Sequence, residues 1–251
     1  MPPEPSDIDR VTLTQRPSGW PVMHQTWDKL LFLHWPIEPA RLRPLIPAPL
    51  QIDTFDGAAW VGVTPFTMRG VRPPLVPPLP VASRTHELNV RTYVHLDGVP
   101  GVWFLSLDAS SALAVWGARL SYFLPYYRAA QSMRVRGERV AFRSRRKHRG
   151  APAADFHATW IMGEPLPTAA PGTRDFFLIE RYCLYAARRG QIYRARIHHQ
   201  PWPLREARLE DLNSTMVQSH GLSGLGPGPL LHALAEPLDV WVWRLQRVDA
   251  P

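Results

Sequence analysis

The clearest alternation along the chain runs from Glu87 to Leu96. Leu88, Val90, Thr92, Val94 and Leu96 fall on one side, and Glu87, Asn89, Arg91, Tyr93 and His95 on the other. That is the period-two pattern of a strand. Asp97-Gly98 predicts a tight turn into Gly101 to Leu107, a continuous apolar run suited to a buried strand. Asp56-Gly57 between Ile52–Phe55 and Ala58–Val63, and Arg189-Gly190 between Cys183–Ala187 and Gln191–His198, predict further hairpins. Met133 to Arg145 folds back across Gly137, Asp155 to Met162 makes another strand, and Val240 to Val248 closes the chain with Trp241 and Trp243 on one face.

Helical patterns are short. Pro39 starts a turn whose apolar side is Leu42, Leu45 and Ile46, and Pro44, Pro47 and Pro49 stop it. Asp108 or Ser110 caps a helix to about Tyr122, with Leu113, Trp116 and Leu120 inward, and Leu124-Pro125 ends it. Asn213 caps a short helix reaching His220-Gly221. Phe176 to Tyr182 fits a helix or a strand equally. Val71 to Pro80, with five prolines, is expected as an exposed loop or a lid, and Gly221 to Pro229 as a loop.

Composition narrows the class. The chain of 251 residues holds 28 prolines, which helix interiors and central strands exclude. Many short strands joined by tight turns imply a mainly β (α+β) fold, a large antiparallel sheet curled or closed, with a few short helices. One domain over residues 21–251 is expected, behind a flexible leader at 1–20 that lacks the apolar core of a signal peptide. No run of 18 apolar residues predicts a membrane span. Cys183 stands alone, which excludes an internal disulfide and a cysteine zinc site, fits a buried small hydrophobe and suggests the cytoplasm.

The net charge is +8, and Lys29 and Lys147 are the only lysines among 29 basic residues. Such a balance attracts nucleic acid or anionic surfaces without specificity. Arg145, Arg146, Lys147 and Arg149 cluster at an expected hairpin tip, either a solvated basic turn or a phosphate contact. No recognised nucleic-acid fold accompanies them, so no specific nucleic-acid partner is expected. The scattered histidines, including His198-His199, lack metal-ligand spacing, and no metal or cofactor is expected.

Three patterns carry candidate chemistry. The polar side of the Glu87 strand lines up a carboxylate, an amide, a guanidinium and a phenol, either around a cavity or on a solvent face. Buried, Glu87 and Arg91 would pair or hold a ligand. Arg119 sits on a mostly apolar helix, where it snorkels outward or neutralises an anion. Tyr126 and Tyr127 follow Pro125, where a sharp turn could aim both phenols inward.

These residues resemble a known family. Ala40-Arg41-Leu42-Arg43-Pro44-Leu45-Ile46-Pro47-Ala48-Pro49-Leu50 resembles the opening segment of acetoacetate decarboxylases, Glu87 falls where they carry an active-site glutamate, and Arg119 to Pro125 matches their arginine-to-proline segment. Trp27-Asp28-Lys29, Asp53-Thr54-Phe55-Asp56-Gly57, the run from Glu87 to Val94 and Leu124-Pro125-Tyr126-Tyr127 are similar to the uncharacterised YqjF-like branch, over about Met23 to Val248. The resemblance implies a cone-like barrel enclosing a pocket that Glu87, Arg91 and Arg119 face. In the decarboxylases two lysines follow the proline: one forms the Schiff base, and the other lowers its pKa. Here those positions are Tyr126 and Tyr127, and phenols form no iminium. Lys29 lies near where the family carries an active-site arginine.

The expected function is binding of a small organic acid or acyl compound without Schiff-base chemistry. Arg91 and Arg119 would hold it, Asn89, Tyr93, Tyr126, Tyr127 and the tryptophans would line the site, and a homo-oligomer is left open. The alternative is a non-covalent lyase or hydratase, with Glu87 as general acid or base and Arg119 as oxyanion stabiliser.

Overall fold

The computed structural model describes residues 8–77, 84–226 and 228–248, with residues 113 and 114 described as backbone alone. Fifteen strands form one sheet. In chain order they are β1 (Met23–Asp28), β2 (Leu31–Ile37), β3 (Gln51–Ile52), β4 (Ala59–Arg72), β5 (Arg84–Leu96), β6 (Val99–Ala109), β7 (Tyr126–Arg136), β8 (Arg139–Arg146), β9 (Asp155–Pro165), β10 (Cys183–Arg188), β11 (Gln191–His198), β12 (Leu204–Ser214), β13 (Leu230–Leu234), β14 (Leu238–Val242) and β15 (Gln246–Val248). Three short helices interrupt them: α1 (Pro39–Leu42), α2 (Ala112–Ser121) and α3 (Arg174–Ile179).

Twelve strands close a ring in the order β1-β14-β11-β10-β6-β7-β8-β9-β12-β13-β2-β4, completed by the pairing of β4 with β1. The sheet is mixed rather than purely antiparallel, because β6 runs parallel to β7 and β10. The strand with the clearest alternation, β5, is not part of the ring. It pairs with β4 along one edge and β6 along the other, and so crosses the interior.

This crossing divides the ring into two compartments that share β4, β5 and β6. The larger is bounded also by β7, β8, β9, β12, β13 and β2, and it is filled with apolar side chains. Leu88 and Val90 of β5 pack there with Val61, Val63, Val140, Phe142 and Trp160, all fully buried. The smaller is bounded also by β10, β11, β14 and β1. Successive side chains of a strand point to opposite faces, so Glu87, Asn89 and Arg91 face this second compartment. A strand paired on both edges inside a closed ring has no solvent face, and all three residues are buried.

Several local expectations change with closure. Val115 and Ala118 of α2 and Tyr122 just after it pack inward, whereas Trp116 and Leu120 are 65% and 55% exposed. The apolar residues leave two candidate faces, and the ring offers its surface to only one. Asn213 lies within β12, where it pairs with His157, and the following 3-10 turn covers only Gln218–His220. Phe176 to Ile179 is helical, with the Thr173 side chain accepting a hydrogen bond from the Phe176 N–H at 3.2 Å.

Asp97-Gly98 and Arg189-Gly190 turn neighbouring strands, each pair with positive φ at both residues. Asp56-Gly57 makes the same turn, but only Phe55 and Ala58 pair across it, because β3 pairs with β5 and β4 with β2. Arg145 and Arg146 end β8, and Lys147 and Arg149 follow in the 147–154 connection to its antiparallel partner β9, so the cluster does lie at a hairpin end, although Arg146 is buried against Asp108. The last apolar segment is two strands, β14 and β15, broken at residues 243–245.

Residues 8–20, expected as loose, are strapped to the ring. Arg10 pairs with Asp53, Arg196 donates to the Leu13 and Gln15 carbonyls, and the Trp243 indole donates to the Ser18 and Gly19 carbonyls. Residues 1–7 lie outside the described residues, as does the 78–83 part of the proline-rich loop, whose Leu75 is exposed. Among the described residues no helix is long and apolar enough to cross a membrane, and no group of three acidic, histidine or cysteine side chains is placed to hold a metal ion.

Candidate functional site

The smaller compartment contains a cavity of about 120 Å³. An apolar cavity of about 150 Å³ admits benzene, so this volume suits a small organic molecule. All seven strands around the compartment contribute to the lining, with Thr64, Phe66 and Met68 from β4, Glu87, Asn89 and Arg91 from β5, and Gln25 and Trp27 from β1. The wall is largely apolar, completed by Phe104, Leu107, Tyr122, Ile179, Cys183, Trp202 and others. Cys183 is buried there, and burial pushes its thiol up to about 11, away from thiolate reactivity.

Arg91 is the unusual group. Its guanidinium carbon lies 5.0 Å from the centre of the Phe32 ring and 5.7 Å from that of Tyr93. Its hydrogen bond among the described residues is from Nη2 to the Leu178 carbonyl at 3.4 Å, and Nε has no partner. No carboxylate oxygen of the described residues lies within 4.0 Å. A buried cation without a counter-charge is costly, and arginine stays protonated in proteins. Across the sheet, Arg91 faces Gly62. A Cβ there would come within 3.3 Å of the Arg91 Cγ and 3.0 Å of the His34 ring, so the glycine leaves the guanidinium stem its room.

Arg181, near the same end, is anchored. Its Nη1 donates to Asp53 at 2.7 Å and its Nε to the Phe177 carbonyl at 2.6 Å. It stacks on Tyr93 and Phe177, and its Nη2 has no partner.

Glu87 stands two strand steps from Arg91 on the same face. At about 3.4 Å per residue the two Cα atoms are roughly 13–14 Å apart. Glu87 and Arg91 form no ion pair. Instead Tyr126 donates its phenolic hydrogen to Glu87 Oε2 at 2.7 Å, and Asn89 bonds to the same carboxyl. Desolvation outweighs both bonds and pushes the Glu87 carboxyl from 4.5 up to about 7.

The native state therefore holds this proton more tightly than the unfolded chain. The stability it contributes is complete below pH 4.5 and is lost as the pH rises through about 7. The loss is on the order of 3 kcal/mol, at about 1.4 kcal/mol per pH unit. Glu87→Gln is expected to flatten that decline. Melting temperatures between about pH 5 and 8 check it, and a variant that declines as steeply as the parent would acquit Glu87.

The other expected site residues are spread out by strand alternation. Tyr126 opens β7 facing the cavity, so Tyr127 faces away, its ring 4.4 Å beneath the Arg146 guanidinium. Tyr93 is fully buried but does not line the cavity. Its hydroxyl donates to the Leu178 carbonyl at 2.6 Å and meets His34 Nε2 at 2.7 Å, which closes the end of the compartment beneath α3. Arg119 is exposed on the outer side of α2. It donates to the Tyr126 carbonyl at 3.1 Å and lies 3.0 Å from His148 Nε2, and so holds the backbone at Tyr126 from outside. Neither lysine lines the cavity. Lys29 is in the turn between β1 and β2, and Lys147 follows β8. Trp27 and Trp202 line the wall, as expected of the tryptophans, whereas Thr64 and Arg181 were not singled out: Thr64 sits on a mixed run without a polar alternation, and Arg181 lies in the segment that fitted a helix or a strand equally.

Comparison with known proteins identifies the family and the fold. Residues 24–238 match the family DUF2071, described as "Uncharacterized conserved protein (COG2071)". The uncharacterized protein YqjF of Bacillus subtilis (strain 168) is 39% identical over 231 residues, which is 92% of this chain and 94% of that protein. Among solved structures, an acetoacetate decarboxylase-like enzyme from Sphingomonas wittichii RW1 superposes with a TM-score of 0.61 at 11% identity, covering 92% of this chain and 94% of its own. The enduracididine biosynthesis enzyme MppR complexed with pyruvate gives 0.61 at 11% identity, covering 92% of each chain. The acetoacetate decarboxylase of Legionella pneumophila gives 0.60 at 12% identity, covering 93% of this chain and 88% of its own. The chain belongs to the uncharacterized conserved family that contains YqjF, and its fold is acetoacetate decarboxylase-like.

Proposed function

We propose that this protein binds a small organic acid in the seven-stranded compartment, with the carboxylate on Arg91 and without Schiff-base chemistry. The observation that carries the reading is the buried Arg91 guanidinium, which lines the cavity and has no carboxylate partner among the described residues. A ligand carboxylate would supply the missing charge and a charge-assisted hydrogen bond. The unpartnered Arg181 Nη2 and Trp202 Nε1 add donors on the same wall. Phe32 joins two of these groups, since Arg91 lies over its ring and Trp202 packs at 80° to it with ring centres 5.0 Å apart. MppR, a neighbour in fold, is complexed with pyruvate, itself a small acid.

A thermal-shift screen of small carboxylates tests the reading. A ligand at a hundred times its Kd stabilises by about 2.7 kcal/mol, or roughly 5–10 °C for a chain of this size. Arg91→Gln is expected to abolish the shift while leaving the unliganded melting temperature equal or higher, since it removes an uncompensated buried charge. A screen in which no carboxylate raises the melting point, or a shift that survives in Arg91→Gln, refutes the assignment.

Covalent chemistry has its own check. Borohydride reduction in the presence of a keto acid is expected to leave no adduct, because neither lysine lines the cavity. A labelled lysine would overturn this part of the reading.

A further inference from the structure

We infer that the acid taken by this compartment is a hydroxy acid, with its hydroxyl held between Thr64 and Asn89. The inference rests on the acid-binding reading above and names the ligand class of that site. Thr64 on β4 and Asn89 on β5 are directly paired across the sheet and both line the cavity. Side chains so paired stand about 5 Å apart at Cβ. They are 1% and 5% exposed, and Thr64 Oγ1 and Asn89 Oδ1 both lack a partner among the described residues. Buried polar atoms are nearly always hydrogen-bonded, so two adjacent orphans on one cavity wall call for a polar group from a ligand.

The polarity of that group follows from the neighbours. Asn89 Oδ1 is an amide carbonyl oxygen, and such an oxygen only accepts, so its orphan site calls for a donor. A ligand carbonyl presents only lone pairs and cannot satisfy Oδ1. A hydroxyl both donates and accepts, so it gives its hydrogen to Asn89 Oδ1 and accepts from Thr64 Oγ1.

An ammonium group would also donate, but the surroundings oppose it. Arg91 is unpaired, and Asp53 is already shared between Arg10 and Arg181. One more cation in a compartment with surplus positive charge is repelled. The order along β5, with Arg91 at one end and Asn89 one strand step away, matches a molecule carrying a carboxylate and a hydroxyl on a short chain.

Isothermal titration with butyrate, its 2-, 3- and 4-hydroxy derivatives and its 2- and 3-oxo derivatives decides the matter. At least one hydroxy acid is expected to bind about tenfold or more tightly than butyrate, and more tightly than the oxo acid of the same position. Thr64→Val replaces an unpartnered hydroxyl by a methyl group of similar size. It is expected to fold and to erase most of the preference for the hydroxy acid over butyrate. Butyrate binding with no preference for any hydroxy acid, or a preference for an oxo acid, overturns the inference and leaves the carboxylate reading standing. A preference that persists unchanged in Thr64→Val also overturns it. Failure of all six acids to bind defeats both.

Discussion

Asp108→Ala is expected to destabilise the protein by about 3–5 kcal/mol, a large part of the total stability of a domain. Asp108 and Arg146 form a forked pair, Nε to Oδ1 at 2.7 Å and Nη2 to Oδ2 at 2.9 Å, with both side chains at most 1% exposed. Truncating the carboxylate leaves a guanidinium that keeps only the Pro152 carbonyl at 3.2 Å and the face of Tyr127. The pair joins the end of β6 to the end of β8, beside the point where β7 enters the ring at Tyr126. Removing both charges should cost less, because no buried ion is left unmatched. The double variant Asp108→Ala/Arg146→Met is therefore expected to recover part of the loss. Urea denaturation of the single and double variants measures it. Single variants within about 1 kcal/mol of the parent would show that the pair does not hold these strands.

The second large effect is expected at Asp53, whose side chain is fully buried between Arg10 and Arg181. Asp53→Ala leaves Arg181, only 3% exposed, without a counter-charge, again at about 3–5 kcal/mol. Its melting temperature should fall by roughly 10 °C. The consequence reaches the cavity, because Arg181 lines it and is held in place through Asp53. Any acid found by screening should therefore bind more weakly to Asp53→Ala, even well below its melting temperature. The same residue holds the N-terminal segment at Arg10, so limited proteolysis near Arg10 should accelerate. Unchanged proteolysis together with unchanged affinity would separate Asp53 from both roles.

The sequence exposed what depends on near neighbours. The alternation from Glu87 to Leu96 set Glu87, Asn89, Arg91, Tyr93 and His95 on one face, and the structure brings the first three of them to the cavity. The turns at Asp97-Gly98 and Arg189-Gly190 were legible because positive φ at adjacent residues selects few residue types. The replacement of an amine pair by Tyr126 and Tyr127 was visible from residue identity alone. Arg119 was misleading. A helix pattern tells how apolar residues are spaced but not which of two stripes faces the ring, and the exposed Trp116 and Leu120 show the same ambiguity.

By itself, then, the chain of residues determined a β-rich fold of a recognisable family, the polar stripe on β5 and the lack of a nucleophilic lysine after Pro125. Tertiary closure decided the rest: that β5 crosses the ring and loses its solvent face, that Arg146 is matched by Asp108 and Arg181 by Asp53, and that no carboxylate of the described residues meets Arg91. The reason is distance along the chain. Asp53 and Arg181 are 128 residues apart, and Asp108 and Arg146 are 38 apart. Which buried charge is matched depends on the strands that become neighbours when the sheet closes, and no local pattern of apolar and polar positions carries that information.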